Sequence, residues 1–285
     1  MTEVNEIFID TSIAIAAMIH SSDTKKRIAE RIRLHSGSVT SLIVKQEFKR
    51  RLLKEAQYLL NQLNSKGSFR KVLRHVSDIL PPQQERKRNI CLDMMLTVFE
   101  QAEDAELTER AKKYLRALLR TGLREFEERF NSIVWASGCA CSTQPVVERE
   151  KYRRYDFGEE RCSKTRGACG VIDFLQSKRS EMERVLQYLR SIRPDKKTIE
   201  LQRSESFIMK VVADCSMATN LDPCLSMGDL MIALESMGIP VFYTLNGKES
   251  QHLCRALGQS LVVRKKNPEH EDVVCQNTDP EWPEF

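Results

Sequence analysis

A short apolar run near the start of the chain ends on an acidic residue, and a helical pattern begins immediately after it. The run Ile7-Phe8-Ile9 favours a buried strand, and residues 11–19 favour a helix. Asp10 therefore stands at the carboxyl end of a predicted strand, the edge where open α/β sheets bind their ligands. An Asp-Thr-Ser sequence before a helix also predicts an ordinary helix N-cap. Asp10 is a candidate for either role.

The same alternation of strands and helices returns in the last third of the chain. Residues 204–218 predict a helix. Residues 226–238 predict another, with Ser226 and Asp229 as a capping box and Gly238 as its stop. A buried strand over 239–244, a helix and a last strand over 260–264 follow. Helices alternating with short strands predict an α/β fold with a parallel sheet.

The composition is that of a globular protein, with 41% hydrophobic and 30% charged residues in 285. A chain of this length forms one large core or two modest domains. It contains no apolar run approaching the roughly 20 residues that cross a bilayer, and no secretory signal pattern at its start. Nine cysteines without such a signal favour a reducing compartment. We expect a cytoplasmic protein without a membrane partner.

Charge is distributed unevenly, although the net charge of +5 is too small to indicate nucleic-acid binding. Only Glu30 and Glu47 oppose the ten cations of the basic segment, which are Lys25, Lys26, Arg27, Arg31, Arg33, Lys45, Lys49, Arg50, Arg51 and Lys54. This basic segment predicts either a polyanion-binding surface or a solvated helix face. Residues 267–285 hold six acids and no Lys or Arg. We expect this acidic C-terminal tail to be loosely ordered and to shield the basic segment.

A helix predicted over 42–63 places two kinds of residue on two faces. The apolar face repeats at intervals of three or four and comprises Phe48, Leu52, Ala56, Leu59 and Leu63. The other face carries Glu47, Arg50, Arg51 and Lys54. These charges form either intrahelical salt bridges or a site in which a metal-bound Glu47 lies beside cations that hold phosphates.

Residues 64–199 have a different, mainly helical character. Pro81-Pro82 breaks the chain, residues 85–134 predict one or two long helices, and 171–192 predict another. The loop-rich part between them contains the four cysteines Cys139, Cys141, Cys162 and Cys169. In a reducing compartment, thiols at this spacing predict either a tetrahedral zinc site or unconnected cysteines.

Four short motifs, taken in order, resemble the PIN-domain nuclease family. They are Ile7–Ser12, Val39–Ser41 with Glu47 six residues later, Gly228-Asp229 at a helix start, and Val241–Asn246 before a helix and Ser260–Val263. The resemblance covers roughly residues 1–63 and 200–266, a discontinuous nuclease domain interrupted by the helical insertion 64–199. It implies a PIN-like parallel-sheet sandwich with acids at its carboxyl edge. It also implies cleavage of RNA or DNA that depends on Mg²⁺ or Mn²⁺.

Carried over position by position, the resemblance makes Asp10, Glu47 and Asp229 the metal ligands and catalytic acids. The family usually has an Asp where this chain has Asn246, which brings no charge and puts a second metal ion in doubt. Asn246 with Ser12 or Thr244 is expected to orient water or contact the substrate. Arg50, Arg51 and Lys54 are expected to hold flanking phosphates. The predicted function is that of a metal-dependent endoribonuclease for single-stranded RNA, with RNA favoured over DNA.

Two other functions compete with this prediction. The Asn246 departure also fits a catalytically impaired PIN-like protein that binds nucleic acid or acts as a scaffold. Arg70 and His75 have the Arg-x4-His spacing of the metal-independent HEPN ribonucleases, which predicts cleavage that survives EDTA. A toxin or defence nuclease restrained by a regulatory protein partner and an RNA-maturation enzyme are both compatible with the chain. Self-association is common in the family, and this is the only reason to expect a homo-oligomer.

Overall fold

The computed structural model describes residues 5–79, 84–99, 101–140, 147–149, 154–156, 169–214, 227–265, 270–279 and 281–283. Within these residues the fold is mixed α/β, which confirms the predicted class. No helix in the described part of the chain has the length and apolarity needed to cross a membrane.

A six-stranded sheet forms the centre of the fold. Its strands are β1 (Glu6–Ile9), β2 (Gly37–Ser41), β3 (Ser132–Val134), β6 (Val241–Thr244), β7 (Ser260–Val263) and β8 (Val273–Cys275). The strand order is β3-β2-β1-β6-β7-β8, parallel throughout except for β8. A separate antiparallel pair consists of β4 (Val147–Arg149) and β5 (Arg154–Asp156).

The sheet reverses its direction of growth at β1. The chain adds β2 and β3 on one side of β1, and later adds β6, β7 and β8 on the other. Such a reversal opens a crevice at the carboxyl ends of the two central strands, because the following segments leave in opposite directions. Here those strands are β1 and β6, and their carboxyl ends lead into Asp10 and Leu245.

Twelve helices surround the sheet in the described residues. They are α1 (Thr11–Ile19), α2 (Ser22–Arg33), α3 (Leu42–Phe48), α4 (Lys54–Lys66), α5 (Phe69–Ile79), α6 (Glu85–Thr97), α7 (Asp104–Arg129), α8 (Val171–Ser177), α9 (Arg179–Ser191), α10 (Ile199–Ala213), α11 (Gly228–Glu235) and α12 (Gly247–Leu257). Helices α4, α5, α6 and α7 pack largely on one another. Residues 171–192, predicted as one helix, form α8 and α9, which meet at Lys178.

A single π-helical turn, Lys49–Leu53, joins α3 to α4. The amide of Lys54 donates to the carbonyl of Lys49, five residues earlier, instead of four. The predicted apolar face is nevertheless buried on both sides of this turn. Phe48, for example, is fully buried and its ring lies 4.7 Å from that of Phe126 on α7. The prediction of this buried face is confirmed.

Residues 85–134 are predicted to be helical to their end, but the last of them form a strand. Helix α7 stops at Arg129, and residues 132–134 form β3, which pairs with β2. The side chain of Asn131 fixes this junction, since its Oδ1 accepts from the amide of Ser38 at 2.8 Å and from its hydroxyl at 3.0 Å. The predicted insertion 64–199 therefore supplies one strand of the central sheet.

The acidic tail 267–285 also departs from its prediction, because residues 273–275 form the ordered strand β8. Asp272 is nearly fully buried beside it and accepts from Arg31 at 3.1 Å, Arg264 at 2.9 Å and the hydroxyl of Tyr243 at 3.1 Å. Arg31 belongs to the basic segment, so one acid of the tail does pair with it. The expectation of loose order is wrong over this stretch, since burial and charge pairing hold it.

Two predicted helix starts also shift. Helix α10 begins at Ile199 rather than Ser204, because the Thr198 hydroxyl accepts from the amide of Leu201 at 3.2 Å and caps it. Its described part ends before the predicted limit at 218. The N-cap of α11 is Met227, without a side-chain cap, in place of the predicted Ser226 box. Ser226 itself lies outside the described residues.

Candidate functional site

Asp10 lies at the carboxyl end of β1 and is almost fully buried. Its carboxylate accepts hydrogen bonds from the amide of Thr11 at 2.6 Å, the hydroxyl of Ser12 at 2.7 Å and the hydroxyl of Thr244 at 2.8 Å. It therefore caps α1, as one of its two predicted roles requires. Because Thr244 ends β6, the same carboxylate also ties together the two strands that border the crevice.

Glu47 lies on α3 and is 2% exposed. One carboxylate oxygen accepts from the hydroxyl of Thr11 at 2.9 Å, and the other accepts from the guanidinium of Arg51 at 3.1 Å. Thr11 therefore links the two acids, because its amide donates to Asp10 while its hydroxyl donates to Glu47. The sequence pattern indicated Thr11 only as part of a cap, since its second partner is 36 residues away.

Asp229 is half-buried in the first turn of α11, directly after Gly228. A Cβ atom at position 228 would lie 2.1 Å from Oε1 of Glu47, so only glycine allows α11 to begin this close to that carboxylate. Burial, followed by the negative charges of Glu47 and Asp10, raises the pKa of Asp229 to about 7. Arg51 and Arg86 act in the opposite direction. The three predicted acids thus influence one another electrostatically.

The turn after β6 is organised by the predicted hydroxyl residues. Thr244 is fully buried, and its hydroxyl accepts from the amide of Asn246 at 2.9 Å. The amide of Leu245 donates to the hydroxyl of Ser12 at 2.9 Å. Ser12 and Thr244 therefore position Asp10 and the β6–α12 turn. Asn246 is half-buried at the start of α12, where it borders the crevice.

A cleft of about 640 Å³ opens beside this edge. Ser12, Arg51 and Asn246 line its side nearest the acids, and α6 lines the other with Arg86 and Asn89 among its residues. Neither α6 residue was predicted as part of the site. A cluster of charges at 85–88 marks Arg86 in the sequence, but its approach to Asp229 depends on how α6 packs.

The basic segment is only partly available at the surface. Lys45 is buried and pairs with Glu127, which is exposed, and Lys49 is fully buried. Among the three predicted phosphate-holding cations, Lys54 is exposed and Arg50 is half-buried, whereas Arg51 already pairs with Glu47. The i,i+4 spacing therefore does form the predicted intrahelical salt bridge. Its partner is one of the candidate metal ligands.

The four cysteines predicted as a zinc site are only partly described. Cys141 and Cys162 are outside the described residues, so the zinc site stays a prediction. Cys139 is buried and Cys169 is half-buried, in segments joined by a hydrogen bond from the amide of Gly170 to the carbonyl of Gly138 at 3.0 Å.

His75 lies on α5, where Nε2 is 3.1 Å from the hydroxyl of Tyr58. Burial lowers the pKa of His75. Arg70 lies on the same helix, and both side chains border a depression separate from the crevice. The metal-independent alternative stays a prediction.

The candidate metal ligands were tested against the chemistry of Mg²⁺ and Mn²⁺. Within the described ranges, no three His, Cys, Asp or Glu side chains are arranged as a group that holds a metal ion. The donor types of Asp10, Glu47, Asp229 and Asn246 are nevertheless the hard oxygens that these ions prefer. Burial is the main reason for the raised pKa of Asp229, and the negative charges of Glu47 and Asp10 add to it; a divalent cation would compensate those charges. In donor chemistry and charge, the residues fit a metal ion.

Comparisons of the chain with protein-family models, with curated proteins and with solved structures found no match. The resemblance to PIN-domain nucleases therefore depends on the four sequence motifs alone.

Proposed function

We propose that this protein is a PIN-like, metal-dependent endoribonuclease that hydrolyses phosphodiester bonds in single-stranded RNA. The observation that carries the proposal is the coupling of Asp10, Glu47 and Asp229 at the carboxyl edge of the sheet, where burial and the two neighbouring acids raise the pKa of Asp229. Buried acids are rarely placed together unless their charge has a use. Their position at the reversal of strand order is where ligands bind in sheets of this kind.

In this proposal Asp10, Glu47 and Asp229 hold Mg²⁺ or Mn²⁺, with Asn246 next to them. When bound, such an ion polarises a phosphate and lowers the pKa of a bound water. Asp229 would hold such an ion as its deprotonated carboxylate. The hydroxyl of Thr11 holds Glu47, and the hydroxyls of Ser12 and Thr244 hold Asp10, so both carboxylates are kept at the edge. Asn246 offers an amide to orient the attacking water.

Arg51 supports the same function, because it lines the cleft as well as pairing with Glu47. An ion held by Glu47 would weaken that pair and leave Arg51, together with Arg86, to hold a phosphate at the cleft. Arg50 and Lys54 then extend the cationic surface along α4 and the π turn. The preference for RNA over DNA comes from the resemblance alone. The zinc site, a regulatory protein partner, self-association and a role in defence or RNA maturation stay predictions.

A second candidate is a catalytically impaired protein of the same type that binds nucleic acid. One observation favours it: two of the acids have partners without any ion, since Arg51 pairs with Glu47 and four donors bind Asp10. Asn246 adds no negative charge to the edge. This candidate predicts binding that weakens with salt and is indifferent to Mg²⁺.

The decisive experiment is cleavage of end-labelled single-stranded RNA and DNA in Mn²⁺, Mg²⁺ or EDTA. The wild type is compared with the double variant Asp10→Asn/Asp229→Asn. The control is Asp78→Asn, which removes the charge of an exposed acid on α5. We expect cleavage that requires the metal, is lost in the double variant and is retained in the control. Folded wild type that binds RNA without cutting it would support the second candidate. Cleavage in EDTA that His75→Ala abolishes would support the HEPN-like alternative.

A further inference from the structure

Helix α6 forms one wall of the cleft beside the acids, although it lies in the segment 64–199, outside the motifs. It presents the cation Arg86, the amide of Asn89 and the apolar side chains of Ile90 and Leu96 to the cleft. Ile15 on α1 contributes further apolar surface. The cleft thus has apolar side chains and a polar rim, the usual composition of a small-molecule site.

We infer that this cleft binds one unstacked base of a single-stranded nucleic acid, beside the phosphate at the acidic edge. The inference rests on the proposed function, which supplies the phosphate. The cleft volume of about 640 Å³ lies within the ~300–1,000 Å³ range of sites that enclose a drug-sized ligand, and a nucleotide is of this size. A flat base covers the apolar side chains, while Asn89 and Asn246 offer donors and acceptors to its edge.

The charges around the cleft favour an anionic ligand. Arg51, Arg86 and Lys265 line it, as does Arg264, which binds Asp272. The two acids that line it are Glu85 and Asp93. Asp93 is 3.3 Å from Nε2 of His20, so it has a partner of its own. Arg51 and Arg264 are likewise paired, with Glu47 and Asp272. Counted by formal charge, the four cations outnumber the two acids that line the cleft, and this excess is complementary to a phosphate backbone.

A base enclosed in this cleft cannot remain in a duplex. Placing it there from double-stranded RNA or DNA would require unpairing and unstacking, which costs a few kcal/mol. A single strand avoids most of that cost. Helix α6 would therefore act as a specificity-determining wall that selects unpaired nucleotides at the site of cleavage.

The test measures binding to a short labelled single strand in EDTA, so that no cleavage occurs. Single bases are removed one position at a time, leaving the phosphates intact. Wild type is compared with Asn89→Ala/Leu96→Ser, which changes the cleft without changing its charge. Asn64→Ala/Leu34→Ser makes the same two changes at exposed residues outside the cleft and is the control.

We expect removal of one particular base to weaken wild-type and control binding about tenfold, because the base no longer covers the apolar side chains of the cleft. The cleft variant should bind the intact strand several-fold more weakly, and the same base removal should then have little effect. Binding to a duplex should be equal in all three proteins. A wild type insensitive to every base removal, or a cleft variant that matches the control, would overturn the inference.

Cleavage in Mn²⁺, measured on the same strands, separates this inference from the proposed function. Metal-dependent cutting with base-independent binding would overturn the inference and leave the nuclease proposal standing. Base-dependent binding without cutting would support the cleft assignment and overturn the nuclease proposal.

Discussion

Gly228 and Glu47 touch across the edge of the site, and the contact leaves no room for a side chain at position 228. Gly228→Ala would bring a methyl group within 2.1 Å of Oε1 of Glu47, so either the carboxylate or the start of α11 must move. We expect the free energy of unfolding to fall by about 1–3 kcal/mol, and we expect most of the metal-dependent cleavage to be lost. Denaturant unfolding and cleavage assays would measure both.

The control for that change is Gly37→Ala at the start of β2, where a Cβ meets its nearest atom at an ordinary 3.5 Å. It should alter stability little and leave cleavage intact. If Gly228→Ala changed stability and cleavage as little as Gly37→Ala, this result would contradict the close approach of α11 to Glu47.

Asp229 should make the stability of the metal-free protein depend on pH. Its pKa is about 7 when folded, against an ordinary 3.8, so the folded state binds more protons between these values. Its stabilising contribution is complete below pH 3.8 and disappears as the pH rises through 7. Asp229→Asn stays neutral, and we expect it to gain stability relative to wild type between pH 5 and pH 8.

The gain should not exceed about 4 kcal/mol, since one unit of pKa corresponds to ~1.36 kcal/mol. Unfolding in EDTA at several pH values measures it, with Asp78→Asn as the exposed control. A stability difference that does not change with pH would contradict the raised pKa of Asp229.

Thr244→Val tests the hydroxyl that holds Asp10. The change preserves shape but removes the donor to Asp10 and the acceptor for the amide of Asn246. Asp10 keeps its donors from Thr11 and Ser12, but the amide of Asn246 loses its acceptor, which costs about 1–3 kcal/mol. We therefore expect lower stability, measured by thermal unfolding, together with weaker Mn²⁺ binding, measured by calorimetry. Thr121→Val on the exposed face of α7 is the control. Unchanged Mn²⁺ affinity would argue against a ligand role for Asp10.

Asp272→Asn tests the charge cluster that fixes the end of the chain to the sheet. The carboxylate binds two arginines, and removing its charge leaves Arg264 buried without its counter-ion. We expect a loss of about 3–5 kcal/mol in the free energy of unfolding. Asp195→Asn breaks an exposed pair with Arg193 and should cost less than about 1 kcal/mol. Equal effects of the two substitutions would show that the Asp272 cluster is not buried.

Local patterns predicted the elements of the edge but not the contacts between them. The apolar run before Asp10 and the helical spacing of the face around Phe48 are clear local patterns, and both form the predicted elements. The bond from Thr11 to Glu47 and the approach of Arg86 to Asp229 connect residues far apart in sequence. No local pattern encodes such a pairing, because it depends on how helices pack.

The errors have the same origin. Ser132–Val134 follows a long helix and is too short for its sequence to predict a strand. Pairing with β2 and the hydrogen bond from Ser38 to Asn131 nevertheless make it one. The charged composition around Asp272 is typical of a solvated tail. In the fold, Arg31 on α2 and Arg264 after β7 pair with Asp272, and these pairs allow its charged side chain to be buried.

The π turn between α3 and α4 holds one residue more than a regular helical turn. Each residue of an α-helix advances it by about 100°, since 3.6 residues complete a turn. Five residues wound in a π turn cover about the same angle as four residues of an α-helix, so the added residue leaves the two flanking helices aligned. Deleting one residue from 49–53 would restore regular winding and leave Glu47 in nearly the same orientation relative to Leu59 and Leu63. The chain therefore accommodates an inserted residue within one turn, next to the acidic edge, without moving the helical layer.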